Sequence, residues 1–310
     1  MRTNFSGRLL AAVIAASVLH AAAPAQTPAR PAPATTPAPA TTAASPAVTP
    51  SRPVATPARP APTPTRPAPP SPESLAAGKV LFAKVVEGLG GAAKARGVRD
   101  VQTRGQITAK TPEGDMTMDI QTVMIIPDHL SQQVDAPFGR LAMIATPAGA
   151  FVVGPNGSQD LPDYMRDELL RQVQRVPLHL AQKADDPGLA AAAVGTEKIG
   201  AANAAILDVR YGDMTVRWFV DPATGRILRT SHSAVGPDGK NASIVSDYSD
   251  YRVVDGFPVA HRLEVTTNGE KDQTLILEEC KFNAGVDAKV FEKPPPPPSP
   301  TLAPDPRPPA

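Results

Sequence analysis

The chain has 310 residues, of which 38 are proline, and a formal net charge of +1. The prolines are concentrated in residues 24–72 and 294–310, and the first acidic residue of the chain is Glu73. This distribution excludes a single compact globule of 310 residues, and the acidic middle of the chain excludes a basic nucleic-acid-binding domain there. One folded domain over 73–293 remains, which is long enough for a hydrophobic core.

The N-terminus has the pattern of a secretory signal. Arg2 and Arg8 precede an apolar segment at 9–19, and Ala23-Pro24-Ala25 offers the small residues typical of a cleavage site. The apolar segment is much shorter than the roughly 20 residues that a membrane-spanning helix needs. The sequence therefore predicts a signal peptide at 1–25, a periplasmic or otherwise exported protein, and no transmembrane segment after cleavage.

Two segments lack the periodic apolar residues that a packed core requires. Residues 26–72 are rich in Ala, Pro and Thr, and residues 294–310 begin with five consecutive prolines. Both segments are predicted to be disordered and extended. The first is interpreted as an inert linker or as a tether across the envelope, and the second is a proline run that an aromatic groove on a partner is able to bind.

The folded part is predicted to begin with a helix and to continue with strands. Apolar residues at helical spacing predict an amphipathic helix over 75–94, with Ser71 or Ser74 as its N-cap and Gly90-Gly91 weakening its end. Apolar and polar residues then alternate with a period of two, which predicts strands. The first group of predicted strands comprises 98–110, 116–126, 130–134, 141–145 and 151–153.

A second helical segment is predicted over 162–184, interrupted at Pro177, and strands resume after it. These strands are predicted at 194–197, 204–211, 214–220, 227–233, 243–251, 258–266 and 274–282. Tight turns and alternating faces favour antiparallel pairing, and no βαβ alternation is present. The predicted fold class is α+β: a curved antiparallel half-barrel sheet with helices covering its concave face, flanked by disordered Pro-rich tails.

No constellation typical of catalysis is present in the sequence. The histidines of the folded part are isolated from one another, and no HExxH, GxSxG or phosphate-binding glycine motif occurs. Cys280 is the only cysteine, which excludes an intrachain disulfide and a lipid-modified N-terminal cysteine. We therefore predict a non-enzymatic protein without metal or cofactor, in which Cys280 is buried in a strand.

The apolar strand faces are the remaining candidates for function. The predicted ligand-lining residues are Met116, Met118, Ile120, Val216, Trp218 and Val220. One interpretation is an ordinary filled core. The other is a sheet too large for two helical segments to fill, which leaves a cavity for an acyl chain or an apolar peptide, and methionine suits a lining that adapts to varied ligands. The pattern alone leaves both interpretations open.

Three segments of the second half carry a resemblance to a known family. They are the turn Asp221-Pro222-Ala223-Thr224-Gly225 at the end of a strand, the segment 246–258 with the sequence SDYSDYRVVDGFP, and the closing segment 282–294. These segments resemble the LolA/LolB-like outer-membrane lipoprotein-sorting proteins, in the uncharacterised bacterial branch of that superfamily. The resemblance implies an open, strongly curved antiparallel half-barrel whose hollow takes lipoprotein acyl chains.

The resemblance and the residues together predict an exported, carrier-like protein. It would bind a lipoprotein acyl chain, a lipid or an apolar peptide in the half-barrel hollow. The alternative is an envelope interaction or stress-sensor module with a filled core and partner-binding tails, because the resembling family also includes periplasmic sensors. The predicted partners are accordingly an apolar ligand or lipoprotein and an envelope protein, and not a nucleic acid.

Overall fold

The computed structural model describes residues 69–111, 114–137, 139–236 and 238–294. The predicted signal peptide at 1–25 lies outside the described residues, as do nearly all of the predicted linker at 26–72 and of the predicted tail at 294–310. In the part of the chain that is described, no helix combines the length and apolar character needed to cross a membrane.

Helices lie at the start, the middle and the end of the described chain. They are α1 (Pro72–Gly88), α2 (Ala92–Arg96), α3 (Asp163–Arg175) and α4 (Pro177–Gln182), with a 3-10 helix at Ala288–Phe291. Gly90 and Gly91 have φ angles of 94° and 92°, which helical backbone does not adopt. The helix predicted over 75–94 is therefore divided into α1 and α2, while Ser71 caps α1 as predicted, its Oγ accepting from the Ser74 N–H at 3.1 Å.

Thirteen strands in the described residues form one antiparallel sheet. The first group is β1 (Asp100–Thr111), β2 (Gly114–Ile125), β3 (His129–Ala136), β4 (Gly139–Thr146), β5 (Gly149–Gly154) and β6 (Gly157–Asp160). The second group is β7 (Leu189–Ile199), β8 (Ala202–Tyr211), β9 (Met214–Val220), β10 (Ile227–Val235), β11 (Asn241–Val254), β12 (Phe257–Thr267) and β13 (Glu270–Phe282). The short strand β6 is absent from the sequence prediction.

The sheet consists of two meanders. They are joined where the first and the last of the described strands pair with each other. Strands β1–β6 pair in chain order, as do β7–β13, and β1 also pairs with β13. The strand order is therefore β6-β5-β4-β3-β2-β1-β13-β12-β11-β10-β9-β8-β7, and the sheet is not closed because β6 and β7 are its two ends. All of the connections within a meander are short, which antiparallel neighbours allow.

The contacts of α3 show how strongly the sheet curves. This helix packs on β3, β4 and β5 and also on β9 and β10. Strands β4 and β10 are seven strand spacings apart in the sheet order, which is about 34 Å in a flat sheet, whereas a helix of 13 residues is only about 20 Å long. One helix touches both arms because the sheet bends around it, and the predicted α+β half-barrel with helices on its concave face is confirmed.

The inner face of the sheet carries two hydrophobic clusters. The first lies beneath α1, α2 and α4, where Trp218 is fully buried and stacks on Phe82 with 5.7 Å between the ring centroids. The second lies beneath α3 and contains Ile107, Met143 and Leu169, all fully buried. Each cluster therefore fills the space under its own helices.

The approach of α1 to the end strand β7 depends on glycine. A Cβ atom on Gly78 would lie 2.3 Å from the carbonyl oxygen of Ala191, which is closer than any normal contact. The Ser74 hydroxyl donates to the Ala193 carbonyl at 2.6 Å, so the helix also satisfies a main-chain acceptor of β7. Helix and strand consequently lie nearly in backbone contact.

We expect Gly78→Val to destabilise the protein by about 3 kcal/mol, because the added side chain meets main-chain atoms that must move and valine is a poor helix former. Gly149→Val is the control, since a Cβ there meets nothing within 4 Å. Urea unfolding followed by circular dichroism measures both. Equal stabilities of the two variants would contradict the close packing of α1 on β7.

Candidate functional site

A cavity of about 280 Å³ lies on the inner face of the sheet, bordered mainly by members of the first cluster such as Val85, Leu178 and Leu277. Its floor is formed by β1, β11, β12 and β13, through side chains such as Tyr248, Leu263 and Leu275, which are half-buried. Its opposite wall comes from the end of α1, the start of α4 and the turn between β9 and β10. The middle of the half-barrel is thus left partly open where no helix fills it.

The turn between β9 and β10 closes the cavity on one side. The Asp221 carboxylate accepts from the Ala223 N–H at 2.9 Å and from the Thr224 hydroxyl at 2.7 Å, which shapes the turn. Gly225 has a φ of 71°, and a Cβ there would lie 2.3 Å from the Lys84 carbonyl oxygen of α1. Only glycine fits this position, and the turn delivers Arg226 to the cavity wall.

Two tyrosines of β11 line the cavity and are held in place by hydrogen bonds. The Tyr251 hydroxyl donates to the Ile227 carbonyl, and the Tyr248 hydroxyl lies 3.2 Å from the Thr230 hydroxyl. Asp250 lies between the tyrosines with a φ of 52°, and this conformation interrupts the strict alternation of side chains along the strand. Burial raises the pKa of both tyrosines above the ordinary value, so both remain neutral.

None of the six residues predicted to line a ligand cavity belongs to the lining of this one. Their positions are as follows: Met118 and Ile120 are buried in the second cluster, Met116 packs half-buried against it, and Val216, Trp218 and Val220 are buried in the first cluster. The structure therefore brings them together as two groups of three. That they contact a ligand stays a prediction.

The cavity and the six predicted residues nevertheless share one face of the sheet. Met118 pairs with Ile107 of β1, and Ile107 pairs with Leu275 of β13, which lines the cavity. Residues directly opposite each other on neighbouring strands point to the same face. Alternation along the strands identified that face correctly, but it did not show which part of the face the helices cover.

The residues that line the cavity differ from those that strand alternation predicts, although several of them lie in the segments that carry the family resemblance. Arg226 directly follows the turn at 221–225, and Tyr248, Tyr251 and Phe257 lie in the segment 246–258. These segments consist of turns and strand entries, which are features that specify a fold and do not by themselves indicate a binding site. The segment 246–258 carries the family resemblance and also concentrates aromatic residues. This combination is the sequence signal that indicates these lining residues.

Cys280 lies in the cavity wall and is buried in β13, as predicted from the sequence. Burial, with a smaller contribution from the charge of Asp255, raises the pKa of its thiol to about 11. The thiolate is the reactive form of cysteine, so this side chain is nearly inert at neutral pH. It contributes an apolar surface to the cavity.

We expect the rate of Cys280 alkylation by a small neutral maleimide to keep rising between pH 8 and about pH 10, since the thiolate fraction of a group with a pKa of about 11 grows about tenfold per pH unit below that value. An ordinary thiol would level off near pH 9. Mass spectrometry measures the labelling, and free cysteine in the same solution is the control. A plateau near pH 8.5 would contradict the buried position.

A separate buried polar group lies under α3. Arg175 pairs with Glu168 at 2.6 Å, and the second Glu168 carboxylate oxygen accepts from the Val235 N–H at 3.3 Å. Both ring nitrogens of His232 are buried and lack a hydrogen-bond partner. Burial, and then the charge of Arg175, lowers the pKa of His232 to about 3. Among the described residues, no group of three or more His, Cys, Asp or Glu side chains has the geometry of a metal site.

The neutral state of His232 makes stability depend on pH. Its pKa is about 6.5 in the unfolded chain and about 3 in the folded one, so protonation of the unfolded chain destabilises the fold as pH decreases from 6.5 towards 3. Between pH 6 and 4, His232 should decrease the free energy of unfolding of the wild type by about 1.4 kcal/mol for each pH unit of acidification. We expect His232→Leu to lack this decrease. Urea unfolding of both proteins at several pH values measures the difference. Parallel pH profiles would contradict this account.

Comparisons with known proteins provide structural neighbours only. No protein-family model matches the chain, and no curated protein matches it. Similar solved structures include an outer-membrane lipoprotein-sorting protein domain from Vibrio parahaemolyticus, with 13% identity, a TM-score of 0.46, and coverage of 71% of this chain and 97% of that one. A DUF1329 family protein from Desulfovibrio piger has 12% identity, a TM-score of 0.49 and the same two coverages.

A LolA superfamily protein from Nitrosomonas europaea is also similar, with 14% identity, a TM-score of 0.45, and coverage of 67% of this chain and 97% of that one. The group that the sequence motifs resemble is thus represented among the structural neighbours of this chain. At such identities the likeness concerns the fold alone, and the argument for function rests on the cavity.

Proposed function

We propose that the chain is an exported, non-enzymatic, carrier-like protein that binds an apolar ligand in the half-barrel cavity. The observation that carries this proposal is the cavity itself, which lies at the middle of the inner face and is walled by aliphatic and aromatic side chains. Small-molecule sites are typically concave, mostly apolar and largely preformed. An acyl chain, a lipid or an apolar side chain of a peptide is the ligand chemistry that such a wall accepts.

The chemistry of the lining supports binding rather than catalysis. Among the described lining residues there is no carboxylate and no histidine, so the lining itself supplies no general base for the Cys280 thiol or the tyrosine hydroxyls. The tyrosines are neutral, and the thiol is protonated at neutral pH. The wall therefore presents hydrocarbon and aromatic surface and lacks an activated nucleophile.

The wall opposite the sheet supports entry of a ligand. It is built from segment ends: Leu89 after α1, the Val176–Leu178 region at the start of α4, and the turn that carries Arg226. Short helix ends and turns have fewer regular main-chain hydrogen bonds than a sheet and open at lower free-energy cost. A ligand larger than the resting cavity is accommodated by movement of this wall, while the sheet keeps its register.

The proposal places the protein in the bacterial envelope. The signal pattern at 1–25 supports export, and the Pro-rich segments at 26–72 and 294–310 have the composition of spacers. A lipoprotein or lipid of the envelope is the partner class that matches both the predicted compartment and the apolar cavity. The alternative with a filled core has no role for this cavity and predicts no saturable binding of an apolar probe.

Leu275→Trp tests the proposal, because Leu275 lines the cavity and a larger side chain occupies its volume. Ile276→Trp is a matched control: Ile276 is the next residue of β13, is 39% exposed and lies on the other face. We expect N-phenylnaphthylamine, a neutral apolar fluorophore, to bind the wild type and the control saturably. Leu275→Trp should weaken its binding about tenfold, which corresponds to the loss of about two buried methylene equivalents.

Fluorescence titration measures the affinities, and circular dichroism verifies that each variant is folded. Equal affinities for the two variants would locate the probe elsewhere. Absence of saturable binding to the wild type would overturn the proposed function and favour the filled-core alternative.

A further inference from the structure

Arg226 is the one charged side chain among the described residues that line the cavity. It is exposed, and its guanidinium carbon lies 5.6 Å from the centroid of the Tyr251 ring, which also lines the cavity. Within the described residues Arg226 forms no ion pair. A cation without a salt bridge among the described residues therefore lies where an otherwise apolar cavity meets solvent. After the hydrogen bond from the Thr224 hydroxyl, the charge of this cation also contributes to lowering the pKa of the Asp221 carboxyl.

The turn that carries Arg226 leaves its guanidinium unpaired. The acid of the turn, Asp221, directs both carboxylate oxygens to the Ala223 N–H and the Thr224 hydroxyl. The main chain of Arg226 is fixed by two hydrogen bonds, because its carbonyl accepts from the Asp221 N–H at 2.8 Å and its N–H donates to the Thr224 hydroxyl at 3.3 Å. The backbone is thus held in place while the charge remains available to a ligand.

A second cation lies against another aromatic residue of the lining. The Lys94 ammonium is 4.6 Å from the centroid of Phe257 and forms no ion pair in the described structure. Asp255, whose charge acts on Cys280, is exposed and pairs with neither cation among the described residues. Lys94 itself is not part of the cavity lining, so Arg226 is the cation that a ligand in the cavity meets.

We propose that the cavity takes a chain amphiphile with a single anionic headgroup, the hydrocarbon chain lying among the apolar residues and the carboxylate or phosphate binding to Arg226. This inference rests on the proposed function and deepens it. The guanidinium fork matches the oxygens of a carboxylate or phosphate, and a charge-assisted pair at the edge of an apolar site is stronger than one in open water. A neutral headgroup leaves Arg226 without a partner, and a cationic one is repelled.

The test compares headgroups on one chain length. The competitors are dodecanoate, dodecyl phosphate and dodecanol, and each is tested for displacement of bound N-phenylnaphthylamine from the purified chain. All three are used at about pH 8, where the carboxyl is ionised, and below the concentration at which they aggregate. The neutral fluorophore makes the readout independent of any charge on the probe. The proteins are the wild type, Arg226→Gln, Arg226→Lys and the control Arg210→Gln, whose exposed side chain lies on β8, outside the cavity lining.

We expect both anions to displace the fluorophore from the wild type at about five- to tenfold lower concentration than dodecanol, the range expected for a partly exposed charge-assisted hydrogen bond. The ratio of the dodecanol concentration to the anion concentration needed for equal displacement should fall close to one in Arg226→Gln, while displacement by dodecanol itself stays unchanged. Arg226→Lys should keep part of the preference for anions, and Arg210→Gln should match the wild type. The anion that displaces the fluorophore at the lower concentration identifies the preferred headgroup as a carboxylate or a phosphate.

Equal displacement of the fluorophore from the wild type by the anions and dodecanol would overturn this inference and leave the proposed function intact. A preference for anions that persists in Arg226→Gln would also overturn it. Failure of the fluorophore to bind the wild type would overturn the proposed function instead, so the two ideas fail separately.

Discussion

The pairing of β1 with β13 determines where every other element of this protein lies. It joins two meanders into one sheet and places the first and the last strand side by side at the middle. The two arms then bend until α3 touches both of them. Because the helices pack under the arms, the central strands β11–β13 keep half-buried inner residues such as Tyr248 and Leu263, and a cavity results.

The position of α1 decides that this cavity is not filled. Gly78 allows backbone contact with β7, and Gly225 allows a similarly close approach of the turn between β9 and β10 to Lys84 near the end of the helix. Both contacts hold α1 to one side of the sheet, so that its end forms a wall of the cavity and does not enter it. The turn built on Asp221 therefore anchors the helix and at the same time presents Arg226.

Much of the fold follows from the sequence, because alternation with a period of two is a local property. It identified the strands on either side of α3 except the short β6, the antiparallel pairing, and the inner face on which Met118 and Trp218 lie. The location of the cavity did not follow. It depends on the β1–β13 pairing and on glycine contacts between distant segments, for which local periodicity gives no signal, so alternation does not distinguish Tyr248 and Tyr251 from residues that lie under helices.

The central pair also has a consequence for the order of folding. Val101 of β1 pairs with Phe282 of β13, so nearly the whole sheet separates two partners in sequence. Pairings of such large separation have a high loop-closure entropy and form late. During synthesis β1 has to wait for β13, which is the last of the described strands to emerge. A chain that is still being made therefore carries an unfinished sheet, in which one edge of β1 has no partner strand until β13 is complete.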